Sequence, residues 1–404
     1  MSQPFRLGVI FTHPTQHHSP LWRRLAQEPS LKVHVMYLSN QNVTPGTGDP
    51  ELGAKEPWDV DLLSGYSSEF MENIDGKVSP KVKPSILALD LRSRLTSQNF
   101  DAVWLSSFVT WSHRYAFYLC KKRGIKIISQ NDGTIMSQTG YYSLAYRAFL
   151  SVVYPPLFNL TDYWLPIGNH NEIYLRNYGV KNEKMFPAPY PFDRHRYQHA
   201  IASQPKKIAE IRQKYSWSEQ TLLYGFAAKF IDRKRPMDFI NAIALAHKKN
   251  PNIRGLLIGG GELEGLIDKR LSELNGEVIK VGFVNQSQLP YFYAAMDVFV
   301  CPSAIDSHPL VVSEAMAAGT PVILSDRCGN WGYSDILQHR YNGLVYPCGD
   351  IEKLAEAMLE LSDNRTRATY SKHAKEVVET QDLEQTAKVV MQVIEKIKTE
   401  LKWK

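Results

Sequence analysis

The chain has 404 residues, too many for one compact core, so two domains are the expectation. At 44% hydrophobic, 22% charged and 11% aromatic it is ordinary for a globular protein, which excludes a disordered or low-complexity chain. A formal net charge of +6 over this length does not mark a nucleic-acid binder; it fits an enzyme of phosphate-bearing substrates, a contact with an anionic membrane surface, or scatter about zero. Cys120, Cys301, Cys328 and Cys348 form no CxxC pair and match neither a zinc site nor a disulfide scaffold, so a reducing, cytoplasmic setting is the expectation. The apolar run near the N-terminus is too short for a signal-peptide core, and no stretch reaches the roughly 18 apolar residues of a membrane span.

The first half alternates strands and helices. Leu7 to Phe11 reads as a strand and Leu21 to Gln27 as the helix after it; Val33 to Leu38, Ala102 to Leu105 and Ile125 to Ser129 read as further strands. Strands separated by helices imply a parallel, doubly wound sheet. Residues 40–84 are rich in Gly and Pro and read as a long loop that shapes an acceptor pocket. Residues 141–158 are aromatic and apolar with a single Arg; such a composition suits a bilayer interface, but a helix packed inside the first domain is the preferred reading. Residues 187–206, rich in Pro and polar side chains, are the linker candidate. The pattern then repeats, with strands at Leu222 to Ala228, Arg254 to Ile258, Val278 to Val281, Val298 to Cys301 and Val322 to Ser325. The division expected is 1–195, 205–375 and an amphipathic terminal helix within 376–404 that packs back on the first domain. Two such α/β domains facing across a cleft would bind ligands beyond the carboxyl ends of their strands.

Three stretches carry chemistry. In PSAIDSHPLVVSEAMAAGTPVI, residues 302–323, a strand gives way to a helix starting near Pro309, capped by Asp306 or Ser307; its free amides and dipole make an anion site. Asp306 precedes that site and Glu314 lies beyond it, so the two carboxylates are placed to grip hydroxyl-bearing groups on either side of a diphosphate, or else serve as a cap and an exposed face residue. In AAKFIDRKRP, Lys229 and Lys234 lie on the turn after a strand, where two cations would neutralise a departing diphosphate without a metal, or form a solvated basic turn. LLIGGGELEGL fails the dinucleotide pattern because Glu264 stands where a third Gly is needed, which disfavours NAD or FAD; its glycines, Gly259 among them, allow a tight turn near a ligand.

Taken in chain order, AAKFIDRKRP, LLIGGGELEGL, VGFVNQSQLPYFYAAMDVFVCPS and DSHPLVVSEAMAAGTPVI, followed by YNGLVYPCGDIEKLAEAM, resemble the retaining glycosyltransferase family 4 of the GT-B fold over roughly residues 160–365. The resemblance implies a metal-independent hexosyl transferase without cofactor, whose nucleotide-sugar donor, a UDP-sugar, binds the second domain. It implies that Glu314 holds the donor ribose and that Asp306 holds hydroxyls of the sugar. Lys229, Lys234 and the amides around Pro309, Leu310 and Val311 would bind the diphosphate, with Phe283 near the base. Asp306 is shorter by one methylene than the commoner Glu, and Lys229 replaces an Arg, giving up bidentate geometry. On the acceptor side, His13, His17 and His18 in THPTQHHSP are candidates, His13 with a catalytic role. Ser106 and Ser107 occupy the neighbourhood after a mid-domain strand where the family carries a histidine, with His113 several residues on, and Asp132 follows a strand end. The acceptor would be a glycan, a lipid-linked sugar or a small molecule, as in polysaccharide or glycolipid biosynthesis, with peripheral contact at the inner face of a membrane. A nucleotide-sugar epimerase and a non-catalytic nucleotide-sugar-binding protein are the alternatives.

Overall fold

The computed structural model describes residues 3–46, 57–106 and 108–402. Two units emerge: residues 3–46, 57–192 and 382–402 form one, Asp193–Gln381 the other.

The N-terminal unit holds strands β1 (Phe5–Phe11), β2 (Leu31–Tyr37), β3 (Ser67–Phe70), β4 (Ala102–Leu105), β5 (Lys126–Ser129) and β6 (Tyr163–Trp164). Its helices are α1 (His18–Ala26), α2 (Leu91–Ser97), α3 (Trp111–Arg123), α4 (Ile135–Tyr141), α5 (Leu144–Leu160) and α6 (Asn169–Asn177). The C-terminal unit opens with α7 (Arg194–Ser203) and α8 (Pro205–Lys214) and continues through β7 (Leu222–Ala227), α9 (Pro236–Lys249), β8 (Ile253–Ile258), α10 (Glu264–Ser272), β9 (Val278–Gly282), α11 (Leu289–Ala295), β10 (Val298–Cys301), α12 (Leu310–Ala317), β11 (Val322–Ser325), β12 (Gly343–Tyr346), α13 (Ile351–Glu360) and α14 (Asn364–Thr380). Helix α15 (Leu383–Glu400) returns to the N-terminal unit.

Each unit is one parallel six-stranded sheet, in the orders β3-β2-β1-β4-β5-β6 and β12-β11-β10-β7-β8-β9. Both are doubly wound, as the alternating pattern requires, and the strand order reverses between β1 and β4 and between β10 and β7. Ligands in such sheets gather at these switch points. The first sheet has a core on each face. The apolar stripe of α15 (Val390, Val393, Ile394, Ile397) fills one of them with Val9 and Trp22. Glu384 at one end of that helix pairs with Arg24 at 2.9 Å, and Glu400 at the other pairs with Lys126 at 2.7 Å.

Three expectations are corrected. The stretch read as a linker, 187–206, is largely helical, because Asp193 caps α7 by accepting from the Arg196 amide at 3.1 Å and Pro205 opens α8. The long loop contains β3, paired in register with β2 from His34 and Ser67 to Tyr37 and Phe70; residues 47–56 of it lie outside the described residues. The aromatic stretch is a helix, but only part of it packs inside the unit. In α5 only Leu150 and Phe158 are buried, while Leu144, Phe149 and Val152 are largely exposed.

Candidate active site

In the C-terminal unit the loops after β7 and β10 flank the switch point. The first runs through Lys229 and a short 3-10 turn, Asp232–Lys234, before Arg235 adopts a left-handed conformation (φ 52°) and Pro236 starts α9. The second runs from Pro302 to Pro309. The Ala304 amide donates to the Arg233 carbonyl at 2.8 Å, which ties the two loops together. Across this seam Lys234 Nζ forms an ion pair with Asp306 Oδ2, both side chains mostly buried. Burial works against the Lys234 ammonium, but the neighbouring Asp306 carboxylate outweighs it, so its pKa is raised and it stays charged.

The capping expectation fails for that reason. Asp306 is drawn to Lys234, and Pro309 occupies the N-cap with no side-chain cap hydrogen bond. Pro309 also lacks an N–H, so it cannot join an anion site as a donor. Its carbonyl instead accepts from Asn330 Nδ2 at 3.1 Å and from the Val312 amide at 3.1 Å. The amides of Leu310 and Val311 are those that a first turn leaves without intrahelical partners.

Glu314 lies inside α12, not on an exposed face: it is 2% exposed. Tyr293 on α11 donates to its Oε2 at 2.8 Å. Burial raises its pKa; the Tyr293 and Tyr197 hydroxyls and the Arg196 charge oppose this. Arg196 in turn donates to Tyr197 Oη at 2.8 Å and to Gln286 Oε1 at 3.0 Å. Sequence reasoning missed this Arg196–Tyr197–Tyr293 support. Its members come from α7, which read as linker, and from α11, and only folding brings them to α12.

Gly259 follows β8 with φ 142°, and a Cβ there would come within 2.0 Å of the Ala228 carbonyl oxygen. The glycine lets this turn press on the β7 loop, where the Phe230 amide donates to the Gly260 carbonyl at 2.8 Å. Phe283 follows β9 at the sheet edge with its side chain exposed. Burial lowers His308, beside Asp306, to about 4, which leaves it neutral at pH 7.

In the N-terminal unit the switch-point loops are Thr12–His17 and the residues after β4. His13 Nδ1 is hydrogen-bonded to Thr12 Oγ1 at 3.0 Å. His17 and His18 are buried rather than solvent-exposed. The His18 ring lies 4.4 Å from Phe11 and 4.9 Å from Tyr190, and burial lowers its pKa to about 3. Ser106 Oγ is 3.2 Å from His113 Nε2, and His113 Nδ1 is 2.8 Å from Thr110 Oγ1, the cap of α3. The helix thus returns His113 to the end of β4, beside Ser106. Ser107 lies outside the described residues. Asp132 follows β5 in an exposed loop and raises the Tyr190 pKa after burial, so Tyr190, another residue the sequence did not flag, joins His17, His18 and Asp132. No group of three or more metal-ligating side chains occurs among the described residues.

Comparison with known proteins bears on the motif-rich half. Residues 207–377 match the family described as glycosyl transferases group 1. The C-terminal unit belongs to that family. An uncharacterized glycosyltransferase of Methanocaldococcus jannaschii is 35% identical over 99 residues, 24% of this chain and 25% of that protein. A GDP-mannose-dependent alpha-(1-6)-phosphatidylinositol monomannoside mannosyltransferase of Mycobacterium tuberculosis is 26% identical over 173 residues, 41% of this chain and 44% of that protein. The chain therefore spans less than half the length of these curated relatives. The group 1 unit and its companion together resemble Anabaena HepE solved with UDP, at 15% identity, covering 97% of this chain and 100% of that one with a TM-score of 0.72. The two-sheet α/β architecture is thus the GT-B fold.

Proposed function

We propose that the protein is a retaining glycosyltransferase that moves a sugar from a nucleotide donor, a UDP-sugar, to a glycan or lipid-linked acceptor. The observation that carries this reading is the Lys234–Asp306 pair at the β7/β10 switch point, beside the start of α12 and ahead of the buried Glu314. Diphosphate oxygens would take up the Leu310 and Val311 amides and the Lys229 and Lys234 ammonium groups, freeing Asp306 for hydroxyls of the sugar. Glu314 would hold the ribose, its carboxylate fixed by Tyr293, while Phe283 offers a ring to the base and Gly259 keeps the neighbouring turn tight. UDP in the Anabaena structure supports a uridine donor, and the mycobacterial relative's GDP-mannose makes guanosine the competitor.

In the reaction the bond from the anomeric carbon to the β-phosphate oxygen breaks, and the acceptor hydroxyl oxygen bonds to that carbon on the same face. The hydroxyl proton passes to the leaving diphosphate. The cations and helix amides meet the charge that develops there, so no step calls for a metal or a protein nucleophile. His13, the His17–Tyr190 neighbourhood, Ser106 and Asp132 would serve the acceptor, His13 as the group nearest the chemistry. His18 is the exception, being neutral and packed as a core ring. We place the reaction in a reducing cytoplasm, in keeping with four free thiols and with no helix among the described residues long and apolar enough to cross a membrane.

Thermal-shift titration with UDP-, GDP- and ADP-sugars tests the donor site, followed by product analysis of the best binder with and without acceptor sugars. Stabilisation by a UDP-sugar, lost in Lys234→Ala, is expected. No response to any nucleotide sugar would sink the proposal, and epimerised donor without UDP release would reassign the site to an epimerase.

A further inference from the structure

Helix α5 is only partly packed, through the buried Leu150 and Phe158. Its second half enters the unit, where Phe158 is buried and Tyr154 stacks on it at 4.8 Å. Its first half stands out: Leu144 is 75% exposed, Val152 73% and Phe149 56%. Tyr142, Tyr146 and Phe149 form a ladder of rings 4.9 and 6.0 Å apart along this surface. A surface so apolar on a folded chain marks a place where something else covers it.

The surrounding charge says what. Between residues 102 and 161 there is one acid, Asp132, against Arg114, Lys121, Lys122, Arg123, Lys126 and Arg147. Lys121 and Lys126 are engaged with Asp162 and Glu400 at 2.9 and 2.7 Å. Among the described residues Arg114, Lys122, Arg123 and Arg147 have no carboxylate partner. Arg114 lies 4.9 Å over the ring of Trp111, itself 56% exposed, and its charge acts on Tyr154, as the Tyr142 and Tyr146 hydroxyls do, so the cation and the ring ladder both lie near Tyr154. A second copy of the chain is a poor occupant, because a twofold contact would bring Arg147 and Arg114 towards their own counterparts. Apolar and aromatic side chains with cations and almost no acid suit the interface of an anionic bilayer.

We propose that the exposed start of α5, with Tyr142 and the Trp111–Arg114 pair, docks the protein on an anionic lipid surface, with Tyr146, Phe149 and Val152 entering the headgroup layer. This rests on the surface alone and not on the transferase reading. The test is flotation of the full chain with vesicles of phosphatidylcholine, and of phosphatidylcholine carrying about a third phosphatidylglycerol, without nucleotide or acceptor. Binding to the anionic vesicles should exceed that to the neutral ones by at least about tenfold, and the double variant Phe149→Asp, Val152→Asp should lower it by at least about tenfold. Because both side chains are exposed, the melting temperature and nucleotide-induced shift of the variant should match wild type. Absence of wild-type binding, equal binding to both vesicles, or unchanged binding of the variant would overturn the proposal. A wild-type dimer that the variant splits, without vesicle binding, would assign the face to a second copy.

Discussion

In the C-terminal unit the loops after β7 and β10 bring opposite charges together, Lys234 against Asp306, with a carboxylate buried behind them. In the N-terminal unit the equivalent loops, after β1 and β4, bring neutral groups together: His18 and His113 are stripped of charge by burial, and Ser106 and Thr110 hydrogen-bond to the latter. On the proposed reading, the same topology serves a diphosphate in one unit and sugar hydroxyls in the other. A charged ligand demands fixed countercharge, whereas hydroxyls are served by neutral donors and acceptors.

The contrast breaks most visibly at Lys234. Lys234→Ala should cut kcat/KM by on the order of 10²–10³-fold while the protein still folds, measured as nucleoside diphosphate release; a variant within about threefold of wild type would remove the C-terminal site from the chemistry. Next come the two histidines of the N-terminal loop. His13→Ala should lower transfer by roughly 10–100-fold with an unchanged melting temperature. His18→Ala, which empties a packed site beside Phe11, Trp22 and Tyr190, should lower the melting temperature by several degrees. The opposite assignment of effects would show that His18, not His13, faces the acceptor.

A smaller effect is expected at the support of Glu314. Tyr293→Phe removes a hydroxyl donating at 2.8 Å and should raise the donor KM about 5- to 10-fold with kcat nearly constant. A loss confined to kcat would deny Glu314 a ground-state contact with the donor.

The last prediction concerns acid. His18 and His113 titrate near 3 and 4 in the folded N-terminal unit, against about 6.5 in an unfolded chain. Between those values the unfolded chain binds more protons, so stability is complete above about pH 6.5 and falls as pH drops towards 4. In the C-terminal unit His308 is the fully buried histidine, near 4, while His339 is lowered by partial burial and the neighbouring Arg340. Hydrogen exchange at pH 5 should therefore show the N-terminal unit opening before the C-terminal one; equal or reversed protection would mean that other groups govern the acid response.

How much could be read beforehand differs between the units for a physical reason. The strands at Ala102 to Leu105 and Val298 to Cys301 match the observed ones residue for residue, because buried parallel strands are short apolar runs bounded by polar turns. The helix after β10 was likewise visible, since Asp306 and Glu314 lie on one continuous stretch. Tyr190 and the Arg196–Tyr197–Tyr293 support were not, being neighbours only through packing. Nor was the capping role of Asp306 correctly read, because the competing partner, Lys234, is 72 residues away.

The amino-acid sequence by itself determined the two doubly wound sheets, the order of the motif blocks and the family of the C-terminal unit, since periodicity, turn chemistry and motif spacing act over neighbouring residues. Tertiary structure alone decided which charges meet, which histidines lose theirs, and that Leu144, Phe149 and Val152 of α5 face outward. Those outcomes depend on burial and on contacts between segments far apart in the chain, and apolar periodicity is the same whether a helix face meets a core or stands in solvent.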